Sequence, residues 1–174
     1  LIKQLDNYTH LLSPIISLRY SPNGNDDISS NSLILNYDNA FAMDRISTNT
    51  QVEGGEAMTV GIKFSRENLL QEKILEARVG NVLRIKENKS LPAKSKLGQT
   101  RSDIFGDIKF NLNRNLGIGY AFSYDKDLEY SNLDAVNILL SLNNFETNFN
   151  YYTENHDFGD SETLTNLTRY EINN

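Results

Sequence analysis

The sequence predicts an all-β fold, an antiparallel meander of about eight long strands. Two observations lead to this prediction. Apolar and polar residues alternate with a period of two along most of the 174 residues, which is the pattern of strands with two different faces. The alternating segments reach roughly 10–14 residues, whereas an ordinary strand has about 5–6. Helical periodicity is weak throughout, so a helical domain is not expected.

Each predicted strand has one apolar and one polar side. In the first, Leu12, Ile16 and Leu18 share one side, and Ser17 and Arg19 lie on the other. The same pattern predicts strands over residues 12–20, 58–64, 75–84, 103–112, 116–125, 136–143 and 145–152, and a last, poorly alternating strand over 163–172. Residues 66–79 also fit a helix. We favour a turn and a strand there because the neighbouring segments alternate.

The connections alternate in length. Those over 21–51 and 85–100 are long, and those over 126–132 and 153–162 are moderate. Between them lie short turns, rich in asparagine, at 66–70, 113–115 and 143–144. Asparagine suits tight turns because it tolerates the left-handed conformation. Short turns on one side and longer loops on the other are typical of transmembrane β-barrels. The short turns would then be periplasmic, and the loops would face outward.

A soluble β-sandwich is the alternative, because its strands also alternate. Three features favour the barrel: the long strands, aromatic residues near strand ends, and charges on the polar side that suit a wet lumen. The polar positions expected to face the lumen are Glu76, Arg78, Asp103, Asp107 and Lys109, together with Asn137, Asn148 and Asn150.

Composition excludes several other classes. The net charge of −6 argues against a nucleic-acid binder. The absence of cysteine rules out disulfides, thiol nucleophiles and cysteine-based zinc sites. His10 and His156 form no visible catalytic arrangement, so we expect no enzyme activity, cofactor or metal site. The acidic loop around His156 does not match an EF-hand. No signal peptide precedes the first strand, and the last strand runs to the end, so residues 1–174 are expected to be one partial barrel domain, truncated at both ends.

One stretch carries a more specific signal. Asn39-Ala40-Phe41-Ala42-Met43-Asp44-Arg45 is followed, after six residues, by Val52-Glu53-Gly54-Gly55 at the entrance to a strand. This arrangement resembles the C-terminal barrel of the LptD family, the lipopolysaccharide-assembly proteins also known as organic solvent tolerance proteins. Residues 12–20 are similar to another strand of that family, and 117–125 to its later strands. The chain departs from the family at Thr48 and Asn49, where glycine is usual.

The resemblance implies a role in lipopolysaccharide transport and assembly at the outer leaflet of the cell outer membrane. It also implies partners: lipopolysaccharide itself, outer-membrane lipids, a lipoprotein plug similar to LptE, and a periplasmic Lpt bridge reached through an N-terminal domain that is missing here. A porin-like diffusion channel remains the alternative function, and a soluble binding module is a further one.

Two groups of residues are the candidates for function. Asp44, Arg45, Glu53, Gly54 and Gly55 are expected to form either a loop inside the lumen that shapes the lipopolysaccharide path or a purely structural clamp. The basic loop holds Arg84, Lys86, Lys89, Lys94, Lys96 and Arg101. These side chains are candidates for contact with lipopolysaccharide phosphates, and the alternative is an ordinary solvated loop.

Overall fold

The computed structural model describes residues 1–5, 7–22, 24, 26–46 and 53–172. Within these residues nine strands form one antiparallel sheet, in which each strand pairs with its neighbours in chain order. The predicted all-β meander is therefore confirmed. The strands are β1 Ile2–Leu5, β2 Tyr8–Ser21, β3 Gly55–Asn68, β4 Lys73–Arg84, β5 Ile104–Asn113, β6 Leu116–Tyr124, β7 Ser131–Leu142, β8 Phe145–Glu154 and β9 Ser161–Tyr170. In the described chain β1 and β9 are the edges, and the sheet does not close on itself.

The first strand is the one that the alternation does not predict. β1 has four residues and pairs with Tyr8–Leu11 of β2. Its sequence, Ile2-Lys3-Gln4-Leu5, is too short to show a period of two. The segment 66–79, which also fitted a helix, is a strand, a turn and a strand, as expected.

Asparagine side chains close two of the short turns by accepting backbone hydrogen bonds. Asn68 Oδ1 accepts from the amides of Leu70 and Glu72, each at 2.9 Å. Asn113 Oδ1 accepts from the amides of Asn115 and Leu116 at 2.8 and 2.9 Å. These bonds replace partners that the backbone loses where the ladder ends. The first turn lies at 69–72, slightly later than predicted, because β3 continues to Asn68.

The connection between β2 and β3 contains a helix that the sequence pattern does not reveal. Helix α1 covers Tyr37–Ala40, and Asn36 caps it by accepting from the amides of Asp38 and Asn39. One turn is too short to show helical periodicity. Within the described residues, no helix has the length and apolar character needed to cross a membrane.

The register gives the sheet two chemically different faces. On the apolar face, paired positions run across the strands as Leu12, Phe64, Ala77, Ile108, Tyr120, Val136, Tyr151 and Leu164. On the polar face, a parallel row runs Ser13, Lys63, Arg78, Asp107, Ala121, Ala135, Tyr152 and Thr163. The apolar face is widely exposed, with Ile16 at 68% and Ile62 at 48% of full exposure.

A small hydrophobic core lies between the polar face and the long connections. Its buried members come from the loops and from the loop-side ends of β3, β4 and β5: Ile28, Leu35, Ala40, Ile46, Ala57, Val82, Leu91, Leu97 and Phe105. The polar face is thus packed under loops at this end. The charges of this face suit a wet lumen in the sequence prediction, and at the loop-side end the connections cover the face.

Two glycines on neighbouring strands let aromatic rings approach the backbone. A Cβ built on Gly61 would lie 2.7 Å from Cζ of Phe41, and one on Gly80 would lie 2.7 Å from Cε2 of Phe105. Gly61 and Gly80 pair across β3 and β4. Because neither has a side chain, the rings of Phe41 in the loop and Phe105 of β5 can approach the backbone of the sheet closely.

Candidate functional site

The charged residues around Glu53 form a buried group, here called the arginine cluster. Arg45 donates hydrogen bonds to both carboxylate oxygens of Glu53, and Arg84 forms an ion pair with the same carboxylate. Arg19 completes the cluster, with Nη1 3.0 Å from Glu53 Oε2. The side chains of Arg45, Arg84 and Glu53 are at most 1% exposed. Charged groups this deeply buried persist only when they are paired.

The remaining guanidinium donors bind backbone carbonyls of the loops. Arg45 Nη1 donates to the carbonyl of Ala40 at 3.3 Å and to Thr59 Oγ1 at 3.0 Å. Arg84 Nε donates to the carbonyl of Leu97 at 2.8 Å. Arg19 Nη2 donates to the carbonyl of Ala42 at 2.6 Å. The arginine cluster therefore ties β2, β3 and β4 to both long connections.

The structure assigns different positions to the residues of the motif. Arg45 takes its bidentate partner from Glu53 rather than from its neighbour Asp44, which is exposed. Gly55 begins β3 with a φ of 87°, a conformation that favours glycine. Gly54 contributes its carbonyl oxygen, which accepts from Arg84 Nη1 at 3.2 Å. Thr48 and Asn49, where the chain departs from the family pattern, lie outside the described residues.

Burial changes the proton affinity of the central arginine. Desolvation lowers the pKa of Arg45 to about 10. The side chain still carries its charge at neutral pH, and the ion pair with Glu53 is intact there. This arrangement has the properties of a fixed clamp. If one ion pair opened, the charges of Arg45 and Glu53 would remain buried without a partner.

The basic loop does not form one continuous patch. Arg84 belongs to the arginine cluster, Lys94 Nζ lies 2.7 Å from Glu154, and Lys96 is surrounded by carboxylates. The other three predicted cations are exposed: Lys86, Lys89 and Arg101. Of the six residues, these three are placed where a soluble or membrane-bound anion has access.

Lys96 joins carboxylates from three connections, and sequence reasoning did not predict this group. Its Nζ contacts Asp125, lies 2.8 Å from Asp157 and is 3.7 Å from the buried Asp103. Asn132 Nδ2 donates to Asp103 Oδ2 at 2.8 Å. Burial lowers the pKa of Lys96, but the hydrogen bonds to Asp125 and Asp157 raise it, and the net shift is upward. No local spacing signals this group, since its members are far apart in the chain.

Four of the five predicted lumen positions share the polar face, and three of them, Glu76, Arg78 and Asp107, form ion pairs there. Arg78 Nη2 lies 2.8 Å from Asp107 and Nη1 lies 2.6 Å from Asp38 of α1. Glu76 accepts from Lys63 at 2.9 Å. Hydrogen bonding to Arg78 lowers the pKa of Asp38.

The remaining lumen positions divide between the buried end and the open end of this face. Asp103 is fully buried beneath the connections and does not line the open surface of the sheet. Lys109 is exposed on β5. Further from the loops the face carries amides: Asn137 Nδ2 donates to both Asn148 and Asn150 at 2.6 Å. These pairs favour a hydrated surface over an apolar one.

The described residues contain no group of three or more histidine or acidic side chains arranged to hold a metal ion. Several charged groups of the polar face and loops pair with one another, and these pairs hold the connections against the sheet.

A family model described as LPS transport system D matches residues 2–173. A search of curated proteins finds no match to the chain.

Proposed function

From the premise that this chain belongs to the LptD family, whose members act in lipopolysaccharide transport at the outer membrane, we propose a role for its sheet. The sheet is part of the wall of a lipopolysaccharide translocon barrel. The observation that carries the proposal is the family match over nearly the whole chain, on a sheet with one apolar and one polar face. The apolar face would meet lipid, and the polar face would line the lumen.

Two arginines support this orientation, because they bracket the apolar face. Arg66 stacks on the Tyr8 ring at 3.8 Å near the short turns. Arg101 pairs with Leu83 at the loop side. Leu83 lies opposite Met58, eight residues along β3 from Arg66. At about 3.3 Å per residue and a tilt of roughly 40°, this spans about 20 Å of membrane. Both guanidinium groups would then reach the headgroup levels.

The unpaired edges support a larger barrel. In the described chain, the outer edge of β9 is unpaired, and residues 1–5 cover β2 only from Tyr8 to Leu12. Backbone groups left without partners in hydrocarbon cost several kcal/mol each. We therefore propose that residues 1–174 are one section of a C-terminal barrel domain, whose other strands pair with these edges.

In this proposal the mechanism is physical rather than chemical. The sugar and phosphate head of lipopolysaccharide moves along the polar face, past Glu76, Arg78, Asp107 and Lys109, while the acyl chains remain on the lipid side. The arginine cluster keeps the connection between β2 and β3 fixed inside the wall. Lys86, Lys89 and Arg101 would meet the phosphates at the outer surface. A plug lipoprotein similar to LptE and a periplasmic Lpt bridge would be the protein partners.

The test is depletion of the full-length parent protein in its own host. Newly made lipopolysaccharide is quantified at the cell surface and inside the cell, with a strain restored by the wild-type gene as the control. We expect surface lipopolysaccharide to fall and internal lipopolysaccharide to accumulate. Unchanged surface lipopolysaccharide, together with reduced uptake of small solutes, would instead identify a porin-like channel.

A further inference from the structure

Lys94, Ser95 and Lys96 form a short segment that contacts all four of the longer connections of the described sheet. Ser95 Oγ accepts from the amide of Leu35, in the connection between β2 and β3, at 2.9 Å. Within its own connection, the carbonyl of Ser95 accepts from the amide of Asp103 at 3.0 Å. Ser95 is completely buried. The segment is therefore fixed in place by contacts on several sides.

Lys96 supplies the contacts to the other two connections. Its ammonium group pairs with Asp125, which follows β6, and with Asp157, which follows β8. The ring of Tyr130 lies 5.5 Å from the same nitrogen. Hydrogen bonds also join the loops after β6 and β8, such as the one from Tyr130 Oη to Asp157 at 3.1 Å. Lys96 is the cation shared by Asp103, Asp125 and Asp157. The group also has more negative than positive charge, and loss of Lys96 would leave three carboxylates facing one another.

The backbone of this segment adopts an unfavourable conformation. Ser95 and Lys96 have φ values of 58° and 53°. Two consecutive residues other than glycine rarely occupy this left-handed region. Such conformations persist only when the surroundings enforce them, and they occur often at switch regions.

We propose that Lys96 is a positioning residue that joins the four connections into one cap over the loop-side end of the polar face. Release of Lys96 from Asp125 and Asp157 separates the connections and opens this mouth of the barrel. The inference rests on the proposed function, since it assumes that the polar face lines a lumen.

The experiment uses the full-length parent protein in its host membrane. The variants are Lys96→Met, the double change Asp125→Asn with Asp157→Asn, and the conservative Lys96→Arg. Lys126→Met is the matched control, because Lys126 is a lysine of the same side that pairs with its neighbour Asp127 at 2.7 Å. The readout is sensitivity to a large antibiotic that the outer membrane normally excludes, at equal amounts of the folded form that resists SDS until heated.

We expect Lys96→Met and the double variant to become several-fold more sensitive, while Lys96→Arg and Lys126→Met stay at the wild-type level. A Lys96→Met protein that folds to wild-type amounts and remains equally impermeable would overturn the proposal. It would show that the ion pairs only stabilise the fold.

A second measurement covers variants that fail to fold. Hydrogen exchange of the purified wild-type parent is followed as salt is raised to screen the ion pairs. We expect exchange to rise together in residues 91–97, 125–130 and 155–160, with little change at 113–115. Independent behaviour of these segments would also overturn the proposal. The depletion experiment tests the proposed function separately. If depletion leaves surface lipopolysaccharide unchanged while the Lys96 variants still raise sensitivity, the cap belongs to a barrel of another function.

Discussion

Glu53 is the residue on which the arginine cluster depends. It is the partner of Arg19, Arg45 and Arg84, which come from a strand, a loop and another strand. Truncating one member of a buried ion pair is costly because the opposite charges remain buried without a partner. Here three guanidinium groups share one carboxylate, so its removal affects all of them.

We predict that Glu53→Gln destabilises the folded parent by roughly 3–5 kcal/mol, the usual cost of breaking a buried pair. Urea unfolding of the purified protein would measure the effect. Glu56→Gln is the control, since Glu56 is exposed at the start of the same strand, and such surface changes stay within about 0.5 kcal/mol. Equal stability of the two variants would show that the cluster contributes little.

Asp103 gives the packing of the connections a pH dependence. Burial raises its pKa to about 6, with Lys96 acting in the opposite direction. A carboxyl group whose pKa is raised in the folded state stabilises the fold below its unfolded pKa of about 4. That contribution is lost as pH rises through about 6.

We predict that Asp103→Asn removes this pH dependence between about pH 4 and 6, an effect of at most about 3 kcal/mol. Hydrogen exchange of residues 91–97 in the parent protein, measured across this range, would detect it. Asp127→Asn serves as the control because Asp127 is exposed and lies on the same side. The explanation fails if protection from hydrogen exchange in residues 91–97 depends on pH in Asp103→Asn as strongly as in the wild type.

At the scale of the element, β3 and β4 are adapted to bring loops close to the sheet. Their paired glycines, Gly61 and Gly80, leave space for the rings of Phe41 and Phe105. Glycine weakens an ordinary strand, so its presence here is explained by the close approach. Gly119 on β6 differs, because a Cβ there would meet Asn137 Cβ at an ordinary 3.7 Å.

We predict that Gly80→Ala destabilises the parent by about 1–3 kcal/mol through overpacking. The new Cβ would lie 2.7 Å from Phe105 Cε2 and 3.2 Å from the carbonyl oxygen of Val60. Gly119→Ala should be neutral or slightly stabilising, because it only reduces the freedom of the unfolded chain. Thermal unfolding measures the stability of both variants. A loss of stability in Gly119→Ala as large as that in Gly80→Ala would contradict this explanation.

For the whole molecule, the proposed orientation has the apolar face of the sheet against lipid and the polar face toward the lumen. Two alanines allow a matched comparison of these faces. Ala77 lies in the apolar row between Phe64 and Ile108, and Ala121 lies in the polar row beside Asp107. In the proposed orientation, a lysine at the first position would enter hydrocarbon, whereas a lysine at the second would enter the hydrated polar face.

We predict that Ala77→Lys costs about 2–4 kcal/mol and reduces the folded form in the outer membrane. Ala121→Lys should leave the amount of folded protein close to the wild type. Quantifying the heat-modifiable band in isolated membranes measures both. Equal losses, or a larger loss for Ala121→Lys, would mean that the apolar face does not meet lipid.

The period-two pattern determined the strands, their faces and the alternating short turns, because each depends on neighbours within a few residues. The turn asparagines, such as Asn68 and Asn113, act on amides two to four positions away. For the same reason the all-β meander was predictable from sequence. β1 and α1 were not, since four residues are too few for either periodicity.

Only the tertiary structure decided which charges meet. Glu53 and Arg84 are 31 positions apart, and Lys96 and Asp157 are 61 positions apart, yet each pair is in contact. The sequence marks such residues as charged but contains no local signal for their partners. The register of β2 to β4 brings Arg19 and Arg84 close together. The folding of the connections over the polar face brings Arg45 to Glu53 and Lys96 to its carboxylates. Both depend on contacts between distant segments, which no pattern along the chain encodes.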